Sequence, residues 1–79
     1  MDHTIPLSEL PVGSVGRVCG LTANGGNRRR MLDLGLIDGT LVKSLMRSPA
    51  GDPTAYKIRG AVIALRAEDS RTVQVLADT

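Results

Sequence analysis

Three groups of residues in this 79-residue chain carry side chains that could do chemistry. The first is an arginine triplet, Arg28-Arg29-Arg30, inside "NRRRMLDLGLIDGT". The second is Asp52, held between two prolines and two glycines in "SPAGDPTAYKIRG". The third comprises a lone histidine, His3, and a lone cysteine, Cys19. Catalysis needs a nucleophile with a base in reach, paired carboxylates, or a metal. The spacing supplies none of these. His3 stands near a terminus, where chains fray. Cys19 falls in a strand-like run and reads as a small buried hydrophobe. Zinc wants several Cys or His at close spacing, and no segment has the carboxylate density of a calcium loop. The expectation is a chain without catalytic residues, metal ligands or a cofactor, and not an enzyme.

Asp52 and the arginines support two readings each. Asp52 could cap backbone N–H groups of its own turn, an Asx-type role. It could also be a rigid acidic contact, because loops held by a scaffold often carry recognition. Pro53 pushes Asp52 toward extended geometry under either reading. If the helix starts near Asn27, the three arginines occupy its first turn and Asp33 its last. Both placements oppose the helix dipole, at about 0.3–1 kcal/mol each. The triplet is then either a solubilising face or a docking patch for an acidic partner or an anionic membrane surface.

Composition narrows the classes further. The net charge is +2, with eight Arg against two Lys. Arginine is the better residue for bidentate contacts to carboxylate or phosphate. Tyr56 is the only aromatic residue. Single-strand nucleic-acid binding relies on aromatic stacking platforms, so no nucleic-acid partner is expected. Pro-rich peptide grooves need aromatic walls too. One cysteine allows no intrachain disulfide and suits a reducing compartment. No stretch approaches the roughly 20 apolar residues of a membrane span. The opening "MDHTIPLSEL" lacks the pattern of a secretory signal. A cytoplasmic location is expected.

The elements that must position these residues are short. Leu7 and Leu10 suggest one helical turn, stopped by Pro11 and Gly13. "SVGRVCGL", 14–21, reads as a strand, with Gly16 and Gly20 suggesting a bulge or bend. Asn24 or Asn27 can cap the helix. Gly35 suits the left-handed stop, with Met31 and Leu36 as the hydrophobic pair of a Schellman motif. "TLVKSLMR", 40–47, is the next strand. In "TAYKIR", Tyr56 and Ile58 share one face, with Lys57 and Arg59 on the other. Arg59-Gly60 reads as a tight hairpin into "AVIALR", 61–66. "AEDS" is a turn or single helical turn, and "RTVQVLA" is the last strand. Five short strands with one or two short helices imply a mainly β fold, a small bent sheet or barrel. Residues 1–79 form one domain at this length.

Three blocks carry a family resemblance: "LSELPVGSVGRV", "RRRMLDLGLIDGT" and "SPAGDPTAYKIRGAVIALRAEDSRTVQV". In this order and spacing, over residues 5–76, the chain resembles the FeoA family of bacterial ferrous iron transport. The resemblance implies an SH3-like barrel of five strands with a helical insertion. It implies an accessory or regulatory role without catalysis. It also implies a partner, the FeoB permease with its G-protein domain, which would make the chain peripheral to the membrane through that partner. A weak homo-oligomer is compatible with it. The candidate partner surface is then Arg28, Arg29, Arg30, Leu36, Gly51, Asp52 and Pro53. The runner-up is the related C-terminal domain of DtxR-type metal-dependent repressors. Such a domain would follow a helix-turn-helix, and only six residues precede Leu7 here, so a free-standing module is favoured.

Overall fold

The computed structural model describes residues 3–78. Six strands form one antiparallel sheet: β1 (Thr4–Pro6), β2 (Val15–Leu21), β3 (Leu41–Arg47), β4 (Thr54–Ile58), β5 (Ala61–Leu65) and β6 (Val73–Asp78). Their order across the sheet is β1-β6-β2-β3-β4-β5. A 3-10 turn, Leu7–Glu9, follows β1. Helix α1 spans Gly25–Asp33 and helix α2 spans Ala67–Ser70. The mainly β expectation holds, but the strand count rises from five to six. The additional strand is β1, which pairs with β6 through Thr4 opposite Leu76 and Pro6 opposite Gln74. Three residues ending in proline give no alternation to read.

Burial follows the alternation of the strands. Val42, Tyr56, Ile58, Leu65, Val73 and Val75 point inward and are buried. Leu7 and Leu10 join them from the 3-10 segment, and Met31 and Leu36 from α1 and its stop. Fully burying a side chain of this size stabilises by about 1.5–3 kcal/mol. The ring of Tyr56 lies in this core, and its hydroxyl donates to the Leu7 carbonyl at 3.4 Å. The single aromatic residue therefore serves packing and has no face to offer a base.

In β2 the pairing with β6 slips between Val18 and Gly20. This is the bulge expected from Gly20. It takes Cys19 out of register and leaves it half-buried, a correction to the reading of Cys19 as a buried residue.

Helix α1 starts at the earlier of the two expected caps, not near Asn27. Its N-cap is Asn24, in extended geometry, without a side-chain cap bond. Arg28 therefore follows the opening Gly25-Gly26-Asn27 turn, and Arg30 reaches the last turn. A cation there favours the dipole, so the expected penalty for the triplet is largely removed.

The helix stop matches its expected form closely. Gly35 has φ +98°. The Leu36 N–H donates to the Met31 carbonyl at 3.1 Å, and the Gly35 N–H to the Leu32 carbonyl at 2.9 Å. These are the two bonds of the Schellman motif, with Met31 and Leu36 packed as its buried pair. The β4–β5 hairpin turns through Arg59 at φ +51° and Gly60 at φ +85°, with Ile58 opposite Ala61. Two consecutive positive values define a two-residue type I′ turn.

Candidate functional site

The loop between β3 and β4 closes on itself. The Ser48 N–H donates to the Pro53 carbonyl at 3.0 Å, and the Gly51 N–H to the Ser48 carbonyl at 2.8 Å. This places Gly51 and Asp52 at the exposed tip. One Asp52 carboxylate oxygen accepts a hydrogen bond from the Ala67 N–H at 2.8 Å. The other lies 3.9 Å from the Arg66 guanidinium. Ala67 is the first residue of α2, so Asp52 satisfies an orphan N–H at that helix start. The residue at the N-cap position is Arg66, which makes no side-chain cap bond. A remote carboxylate supplies what the local sequence lacks.

The other end of α2 is tied to α1. Arg30 and Asp69 form an ion pair at 2.6 Å, with Asp69 the more buried partner at 17% side-chain exposure. Helix α2 is thus bonded at its start to the exposed loop and near its end to the basic helix. Beside it lies an open hollow of about 480 Å³, walled by Arg30, Leu34, Ile63, Arg66, Glu68 and Asp69 among others.

The remaining candidates separate. Arg28 and Arg29 are exposed on α1 and enter no ion pair among the described residues. Arg28 borders a second hollow of about 550 Å³ with Gly20, Leu21, Leu32, Ile37 and Asp38. Leu36 contributes wall atoms there, but its side chain is wholly buried and belongs to the core. Ile37, next to it, is 46% exposed. Pro53 is half-buried at the base of the loop. The structure thus brings Arg30 and Asp52 to one assembly around α2, and Arg28 to a neighbouring face of α1.

Sequence reasoning missed Arg66, Glu68, Asp69 and Ile37 as parts of this surface. The available signal was the poor N-cap at Arg66. A short helix opened by arginine, with no Ser, Thr, Asn or Asp at its cap, needs a partner from elsewhere. Among the described residues no three His, Cys, Asp or Glu side chains converge as metal ligands, and no helix is long and apolar enough to cross a membrane.

This geometry sits on a fold with known relatives. The FeoA domain family matches residues 5–77. The Fe(2+) transport protein A/Fe(2+) transporter FeoB fusion protein of Porphyromonas gingivalis is 30% identical over 69 residues, which is 87% of this chain. The chain spans only 8% of that relative's length. The solution structure of FeoA from Chlorobium tepidum superimposes with a TM-score of 0.87 at 32% identity, covering 95% of this chain and 71% of that one. Stenotrophomonas maltophilia FeoA, solved in complex with zinc and described as an SH3 domain protein, gives 0.78 at 29% identity over 95% and 88%. A manganese-dependent transcriptional repressor gives 0.86 at 17% identity over 95% and 41%, a likeness of fold alone. The fold is SH3-like, and the match over residues 5–77 places the chain in the FeoA family, which is linked to ferrous iron transport.

Proposed function

We propose that this chain is a non-enzymatic accessory protein of ferrous iron uptake that docks on the cytoplasmic side of a FeoB-type permease. The observation that carries the reading is the Porphyromonas gingivalis relative, in which a segment similar to this chain is continuous with a FeoB transporter. Two functions held in one polypeptide act at high effective concentration. A separate chain must reach the same place through a surface.

The surface is the assembly around α2. Arg28 and Arg29 supply exposed charge, which acts mainly on encounter rate and salt sensitivity. The 48–53 loop is anchored by two strands and by the Asp52 carboxylate, so little freedom is lost on docking. Gly51 and Pro53 shape that loop. Leu36 supports the surface from beneath.

Co-purification with the permease from membranes tests the reading. Arg28→Glu with Arg29→Glu is expected to slow association and to change its salt dependence, without loss of folding. Undiminished capture by this variant at low salt would remove α1 from the interface. The repressor-type alternative rests on fold alone; tight, sequence-dependent binding of a duplex oligonucleotide would revive it.

A further inference from the structure

The outward face of the sheet carries a second and separate feature. Val15 pairs with Lys43, Lys43 with Lys57, and Lys57 with Val62. These four residues form one row across β2, β3, β4 and β5. Directly opposed side chains in antiparallel strands lie about 4.5–5.5 Å apart at Cβ, and like charges there repel. No carboxylate pairs with either lysine among the described residues. Leu41 and Val62 stand exposed beside them, at 49% and 66%. An open hollow of about 320 Å³ lies on this face, walled by Val15, Leu41, Lys43, Lys57 and Arg59 among others, with three cations and no carboxylate.

We propose that this face docks an acidic peptide segment of a partner protein, with an apolar side chain of that segment seated in the hollow and its carboxylates on Lys43, Lys57 and Arg59. A repulsive lysine pair in register lowers stability, so its presence is explained by a ligand that neutralises it. The charge selects an anion. The apolar floor, formed by Val15, Leu41 and the lysine and arginine stems, selects a side chain rather than a bare phosphate. A concave seat does not suit a flat lipid surface. Nucleic-acid bases have no aromatic platform here, because Tyr56 is 2% exposed. None of these wall residues belongs to the surface around α2, so the proposal stands whether or not the permease reading does.

The test is an amide NMR titration of the whole chain at low salt. The probe is a short synthetic peptide of leucines flanked by glutamates. Saturable shifts are expected at Val15, Leu41, Lys43, Lys57 and Gly60. The peptide with glutamine in place of glutamate is expected to bind at least about tenfold more weakly. Lys57→Glu is expected to weaken the acidic peptide by a similar factor while melting no lower than the parent, because it replaces the repulsive pair by an attractive one. That variant separates binding from folding. Absence of saturable shifts on this face, shifts confined to α1, or stronger perturbation of the same residues by anionic vesicles or a short oligonucleotide would each overturn the proposal.

Discussion

Asp52 caps a helix that begins fifteen residues downstream, its carboxylate accepting the Ala67 N–H at 2.8 Å. The contact joins the β3–β4 loop to α2 and fixes the tip of the loop. Of the two roles open to Asp52 in the sequence it fills that of a cap, for a remote helix start and not for its own turn.

Asp52→Ala is expected to lower stability by about 0.5–2 kcal/mol, the usual worth of a cap. Asp52→Asn keeps an oxygen acceptor and should lose less. Thermal melts of both variants measure this. Permease capture on the same samples then separates the roles: a lowered melt with full capture per folded molecule would leave Asp52 purely structural.

Gly35 is constrained twice. Its φ of +98° is one that side chains rarely adopt, and a Cβ there would stand 2.7 Å from Cδ of Arg59. Gly35→Ala should cost more than about 1 kcal/mol from the backbone alone. In an Arg59→Ala background the steric part disappears and the cost should shrink. Equal costs in both backgrounds would show that Arg59 yields freely. Gly60→Val, at φ +85° with open space around it, should show the backbone cost without the clash.

Much of this was legible before any coordinates. The Met31–Gly35–Leu36 stop and the Arg59-Gly60 hairpin are local, and their signals lie within six residues. The inward positions of Tyr56 and Ile58 follow from period two. What stayed hidden is non-local. Strand β1 exists only because β6 offers it an edge. The cap on α2 and the Arg30–Asp69 pair depend on chain segments that no local window joins. Leu36 was placed among candidate contact residues by its motif, but its burial is a property of the packed whole.

Ser44 is wholly buried in β3, and its hydroxyl finds no hydrogen-bond partner among the described residues. Removing an unsatisfied buried hydroxyl is close to neutral or stabilising. Ser44→Ala should therefore leave the melting temperature unchanged or raise it, with a gain of up to about 1 kcal/mol. A clear drop would mean that a bound water satisfies the hydroxyl.

The Arg30–Asp69 pair is half in solvent on the arginine side. A double-mutant cycle with Arg30→Ala and Asp69→Ala should give a coupling of about 0.2–1 kcal/mol, shrinking as salt rises. Its larger effect should be positional. Losing it frees α2 from α1, and amide exchange in Ala67–Ser70 should accelerate more than in the strands.

One consequence follows from the pairing of β1 with β6. Thr4 and Leu76 are register partners, so chain entering the sheet and chain leaving it emerge side by side at one rim. Such an arrangement can be grafted into a longer polypeptide as a bead, since neither end has to be threaded past the core. It also permits circular permutation: a short linker from the end of β6 to the start of β1, with the chain reopened between Arg59 and Gly60, should preserve the sheet order while moving the termini to the β4–β5 hairpin.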